Sequence, residues 1–447
     1  MTVGYSEPQS SVYNHLHALR ALPAQCTVPP CTQSSFLEPL RLHDSLALFL
    51  STTERDTTAV TTRMTTRGLV IFVAKSTPPS LAHREAGELL RQAILHPDAN
   101  ESSLMSAVLR VCGVKIVSRL RRVTGGMSWD AFAENVDLYS RASAATGRTA
   151  VTKNVSRLRL KYTAPDLFEA LKTRYRTILA KASALQSRPD ASEDQSHEDS
   201  EAFLLLSTLA SVLADSTEGM ILCEQIPSDE RKRLSRLRRD LLDIVRYRTA
   251  VLNVLNRVRM LGPFADRLTV HLDWVSNDPT SPSRYDYYPS HVSAYETAQK
   301  RAERLGEGGV TKDEFYSRVK EPKKPATISA SRVHPAIILL LYMDQRAASQ
   351  APRSLPAKLQ TIGCSERCSW ETALWISCYN SVRDRQWSTY GSRQSPAQGR
   401  RGWWKFPLVG ADVDSEFARS VERELDEQLL GLGLVVGPAT AITPTNG

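Results

Sequence analysis

The alternation of apolar and polar positions divides the chain into a β-rich start, a long helical middle and a mixed end. Apolar residues recurring at three and four predict a helix over 37–50. Two β-rich runs follow, at 57–64 and 69–74, around Thr65, Thr66, Arg67 and Gly68. This is a hairpin pattern, with glycine where a positive φ is useful. The second run is continuously apolar from Leu69 to Ala74 and therefore reads as a buried strand. A two-stranded hairpin is not stable alone, so this one is expected to share a sheet with a strand-like run at 358–363. Between them the pattern is helical, over 83–95, 101–122, 128–145, 164–186 and 202–214. The longest helix opens at Ser228, with Ser as cap and Asp229 and Glu230 at the positive end of the helix dipole. Its seam of Leu234, Leu237, Leu241, Ile244, Val251, Leu255 and Val258 suits packing in a helical bundle. A further helix is predicted over 291–305, and Thr311 to Glu314 form a capping-box pattern opening a short one.

Breaks in the pattern set the domain boundaries. Residues 1–36 are rich in Pro, Ser and Thr and read as a flexible leader. They contain Cys26 and Cys31, with no further Cys or His pair nearby. Residues 37–82 carry the helix and hairpin, 83–320 a helical insertion, 326–435 a second folded part and 436–447 a flexible tail. Within the insertion, 187–201 has almost no apolar residue and reads as a mobile acidic loop. The stretch 277–289 reads as a turn-rich linker.

Composition adds limits. At 447 residues, 41% hydrophobic and 23% charged, the chain is ordinary for a globular protein. No continuous apolar run approaches the roughly 18 residues of a membrane span, and the first residues have neither a basic nor an apolar signal region. Seven scattered cysteines make no disulfide framework, so a reducing compartment, cytosol or nucleus, is expected. A net charge of +9 permits contact with an acidic polymer. However, the basic residues Arg231, Lys232, Arg233, Arg236, Arg238 and Arg239 share their helix with Asp229, Glu230, Asp240 and Asp243. Such mixed charge is usually a solvated face. Any nucleic-acid binding is therefore expected to be weak and salt-dependent.

Candidate chemistry is concentrated in 333–406. His334 followed by Pro335 suits a helix start, where the ring is either a metal ligand or a helix-capping, partly buried histidine. Two positions on stands Ala336, and Asp344 lies two helical turns away. The strand-like run delivers the chain to Cys364 and Cys368, the latter near a second helix start where the dipole favours thiolate. Three residues on is Glu371. His334, Cys368 and Glu371 are residual metal candidates, with Cys364 as a spare thiolate; alternatively Cys364, Cys368 and Cys378 are small core or loop residues. Trp387, Trp403, Trp404 and Phe406 interleave with Arg393, Arg400 and Arg401. They could hold a base and its phosphate, or the aromatics could pack while the arginines face water, which is the preferred reading.

Taken together, His334, the run Ile362, Gly363, Cys364 and Ser365, then Cys368, then Gly391, Ser392, Trp404, Lys405, Phe406 and Pro407, with the hairpin before them, resemble the cytidine deaminase-like superfold. Within it they resemble the fungal group of large deaminase-like proteins. The resemblance covers the hairpin and roughly the last quarter of the chain. It implies an α/β fold with a three-layer deaminase-like sheet and a large all-helical insertion. It also implies a zinc site built on H-x-E and P-C-x-x-C, with the Glu as proton shuttle. Here the Glu position is Ala336 and the second cysteine position is Glu371. The expected function is thus a catalytically inactive deaminase-like protein acting as a binding or interaction module. The alternative is a divergent zinc-dependent nucleobase or nucleotide deaminase. No cofactor is expected beyond a zinc ion that the remaining donors could take. The expected partner is a protein, or a nucleotide or nucleic acid, and not a membrane.

Overall fold

The computed structural model describes residues 12–16, 18–19, 37–53, 56–65, 68–146, 164–186, 193–261, 269–275, 285–286, 291–305, 329–330, 333–349, 360–366, 368–389, 404, 406–407 and 409–431. Helix α1 (Leu37–Phe49) leads into β1 (Thr58–Thr65) and β2 (Gly68–Lys75), paired antiparallel from Thr58↔Lys75 to Thr65↔Gly68. Gly68 closes this hairpin at φ 134°, a conformation that side chains with a Cβ rarely adopt. Six helices follow among the described residues: α2 (Leu81–Leu95), α3 (Glu101–Gly126), α4 (Trp129–Thr146), α5 (Ala164–Gln186), α6 (Glu193–Ile221) and α7 (Ser228–Leu261). Their starts are chemically marked. Ser80 caps α2 and Asn100 caps α3, each accepting a backbone N–H three residues on.

The chain then returns to the sheet as β3 (Val270–Val275), pairs β4 (Tyr285–Asp286) with β5 (Ser329–Ala330), and forms α8 (His291–Leu305) between them. The last part comprises α9 (Pro335–Ser349), β6 (Gln360–Thr361), β7 (Gly363–Cys364), α10 (Trp370–Arg383), β8 (Trp387–Ser388) and α11 (Ala411–Gly431).

The main sheet has the order β3-β2-β1-β7. β3 runs parallel to β2, and β7 runs antiparallel to β1 with Ala59 opposite Cys364. The hairpin therefore does pair with the distant strand, as its apolar face requires. Just before β7, β6 pairs in parallel with β8, and Ile362 N–H donates to Ser388 O at 2.9 Å. The single stretch 360–364 thus joins β1 on one side to β8 on the other.

Alternating β1 residues enter different cores. Val60 packs with α1, α3, α6 and α7, whereas Ala59 packs with α9, α10 and α11. Gly363 lets α1 lie directly on β7, since a Cβ there would overlap the backbone of His43 and Asp44. Where α1 ends, a buried polar cluster fixes the strand ends. Lys75 pairs with Asp56 and donates to Leu50 O at 2.6 Å, while Lys115 Nζ donates to Ser51 Oγ at 2.5 Å. Burial lowers the Lys75 pKa, and the Asp56 carboxylate opposes that shift.

Several expectations need correction. The insertion is not all helical, because β3 lies within 83–320 and extends the sheet. Residues 193–201, expected as a loop, are the opening turns of α6. Residues 12–16 and 18–19 of the expected leader are helical, with Tyr13, Leu16 and Leu19 buried in the second core. The three-residue spacing of those side chains gives a short helix a face to bury. Helix α6 also contains a segment, His197–Ile221, apolar and long enough to cross a membrane by length and composition. Its Phe203, Leu206, Ala210 and Leu213 pack in the helical core. Cys26 and Cys31, the predicted helix at Thr311 and the 436–447 tail lie outside the described residues.

Gly363→Ala is expected to force α1 off β7 and cost about 3 kcal/mol, as overpacking a tight contact does. Denaturant unfolding of the variant checks this; a loss under about 0.5 kcal/mol, the range of a neutral surface change, would show that the contact yields.

Candidate functional site

Pro335 opens α9 as its first helical residue, where its missing N–H costs nothing. His334, one residue earlier, is 2% exposed. Its Nδ1 accepts the Ala336 N–H at 3.1 Å, and its carbonyl accepts from Ile337 and Ile338. The ring meets Trp404 edge-on, centroids 4.7 Å apart. Burial holds the imidazole pKa down at about 3, so it is neutral. The Nδ1 lone pair serves the first turn of α9, as a helix-capping histidine does. Ala336 is fully buried in that turn.

Ser369 caps α10, its hydroxyl accepting the Thr372 N–H at 3.3 Å. Cys368 stands just outside the helix and Cys364 ends β7. Their Sγ atoms are 3.5 Å apart, and Thr389, just after β8, places its Oγ1 3.3 Å from Cys368 Sγ and 3.9 Å from Cys364 Sγ. The neighbouring Cys368 thiol, together with burial, holds the Cys364 pKa well above its ordinary value. Cys364 is therefore a thiol at neutral pH. Glu371 is buried in the first turn of α10. Cys378, also on α10, is buried, and burial raises its pKa.

Cys364 and Cys368 thus lie together as a buried pair with a threonine. Among the described residues no three His, Cys, Asp or Glu side chains gather as a group able to hold a metal. His334 Nδ1 accepts an amide N–H of its own helix, so that nitrogen is engaged with the α9 backbone.

Asp344 has a different task. It accepts Tyr379 Oη at 2.6 Å and Arg385 Nε at 3.2 Å, bolting α9 to α10. The aromatics mostly pack: Trp387 is buried in β8, and Phe406 lies against Tyr13 and Phe417. Trp403, Arg393, Arg400 and Arg401 are outside the described residues.

Sequence reasoning missed Thr389, Asp44 and Arg246. Asp44 Oδ1 accepts the Cys364 N–H at 2.7 Å, and Arg246, on α7, donates to Ser365 O at 3.1 Å. Thr389 carried no signal, and Arg246 is one of several charged residues along its helix. Comparison with family models, curated proteins and solved structures found no match to this chain.

Burial also lowers His43, on α1, to about 4. Above pH 6.5 both histidines are neutral folded or unfolded and contribute no pH dependence. Below it the unfolded chain takes up protons that the native state refuses until about pH 4 and about pH 3. Each histidine should then remove about 1.4 kcal/mol of stability per pH unit. Urea unfolding of the wild type and of His334→Asn, which keeps a capping side chain, is expected to show a smaller acid loss in the variant. Identical slopes between pH 6.5 and 4.5 would mean that His334 is accessible to protons in the native state.

Proposed function

We propose that this chain is a cytidine deaminase-like scaffold without deaminase chemistry, serving as a binding or interaction module for a protein, a nucleotide or a nucleic acid. The order of its elements supports the scaffold. A helix and an antiparallel hairpin come first. After the insertion come a helix preceded by His334, a strand, a helix preceded by Cys368, a strand and a last helix. The strand that ends at Cys364 lies beside the first hairpin strand.

The observation that carries the absence of deaminase chemistry is Ala336, buried in the first turn of α9. Hydrolytic deamination needs one group to take a proton from the attacking water and pass it to the ring and the leaving amine. A methyl group cannot, and the nearest acid on that helix, Asp344, is occupied between Tyr379 and Arg385. The alternative, a divergent zinc-dependent nucleobase or nucleotide deaminase, draws on one feature: the 3.5 Å approach of Cys364 and Cys368.

The two readings separate in an ammonia-release assay with cytidine, adenosine, their free bases and single-stranded DNA, with zinc added. No release is expected from the protein as it stands. Turnover that is lost in His334→Ala would overturn the proposal in favour of the alternative.

A further inference from the structure

On the face of the sheet covered by α1 and α7 lies a cavity of about 210 Å³, lined in part by His43, Thr61, Thr62, Arg257, Gln360 and Thr361. Cys364 and Cys368 belong to the other core, with α9 and α10, and His334 stands at the start of α9. The cavity is therefore separate from the candidate site and does not depend on the deaminase-like reading. We propose that it is an oxyanion site, binding inorganic phosphate or the phosphate group of a small metabolite.

The lining is built to donate hydrogen bonds. His43 lies between two threonines, with Nε2 2.8 Å from Thr62 Oγ1 and Nδ1 2.9 Å from Thr361 Oγ1. Its ring is neutral, so one nitrogen donates and the other accepts. One threonine therefore gives its proton to the ring. The other receives the ring proton and keeps its own for a guest. Thr61 Oγ1 is spent on Thr361 O at 2.8 Å, which fixes the wall between β1 and β6.

Two further donors have no hydrogen-bond or ion-pair partner among the described residues: the Gln360 amide and the Arg257 guanidinium. A guanidinium pairs with a tetrahedral oxyanion through two parallel N–H groups, and these charge-assisted bonds are roughly twice as strong as neutral ones. Among the described residues that line the cavity there is no carboxylate to compete for it. The volume is below the roughly 300–1,000 Å³ of pockets that enclose drug-sized ligands, so it suits one compact anionic group rather than a whole nucleotide.

The polar chain also explains why His43 is kept as a histidine in a buried place. A neutral imidazole is the one side chain that can accept from one hydroxyl and donate to another across a ring. It sets the direction of both hydroxyls without adding a charge.

The test is isothermal titration of the full-length protein with inorganic phosphate and, separately, with ribose 5-phosphate, alongside Arg257→Ala and Arg257→Lys. Saturable binding is expected, weakened about tenfold or more in Arg257→Ala and partly restored by lysine, which keeps the charge but not the paired donors. Arg257 is exposed, so thermal unfolding of Arg257→Ala in phosphate-free buffer should match the wild type, separating lost binding from lost folding. Tighter binding of the ester would assign the site to the phosphate of a larger molecule; tighter binding of phosphate would assign it to the free ion. The proposal is overturned if neither ligand binds saturably, or if Arg257→Ala binds both as the wild type does.

Discussion

Everything near the candidate site depends on how closely α1 lies against β7. Gly363 removes the side chain that would keep them apart, and Asp44 Oδ1 then reaches the Cys364 N–H at 2.7 Å. The neighbouring residue completes the join: Ser365 N–H donates to Thr58 O, and Ser365 Oγ accepts the Thr58 N–H. A two-residue strand has too few ladder bonds to hold its register by pairing alone. Here the register is set by a helix pressed onto one face and by side chains that complete the ladder. Both cysteines and the start of α10 inherit their positions from that contact.

The helical insertion is part of the same arrangement rather than an appended unit. α7 packs along α1, and Arg246 reaches from it to Ser365 O, one residue beyond Cys364. Around it α7 is tied to α3 by Arg119 donating to Asp243 O and by Arg122 with Asp240 and Asp243, while Arg248 pairs with Glu101. At the other end of α1, Cys112 of α3 donates to Phe49 O at 3.1 Å, and burial pushes that thiol up to about 12. The ion pairs among them are partly exposed and add little net stability each. Their geometry records which helix faces which.

The parts of the fold legible in the sequence were those with long periodic patterns: the hairpin, α7 and its leucine seam, and the pairing of the hairpin with the strand before Cys364. β3 was missed although its pattern was present, for Val270, Leu272 and Trp274 alternate with His271 and Asp273. Its position at the end of a helical region hid it. The two-residue strands β6, β7 and β8 are too short for any periodicity to show. At the site, the sequence placed Cys364 at a strand end and Cys368 near a helix start, and the structure brings their sulfurs within 3.5 Å. That Thr389 would join them could not be read, since it arrives from β8 through tertiary packing. The role of His334 was open in sequence because a cap and a ligand occupy the same place at a helix start.

The chemistry of that place now follows from three neighbours. The backbone N–H of Ala336 engages Nδ1, Trp404 covers the ring, and burial keeps it uncharged. Facing α10, a carboxylate that could have served as an acid or base instead holds Tyr379 and Arg385, with Arg383 fastening the far end of α10 to Val409 O. His334 Nδ1 and the Asp344 carboxylate are both engaged in holding the start of α9 and its join to α10. Two donors with no partner among the described residues, Arg257 and Gln360, lie on the opposite face of the sheet. Recognition there and rigidity at the paired cysteines are compatible, because β6 and β7 belong to one continuous stretch whose two halves line the two places.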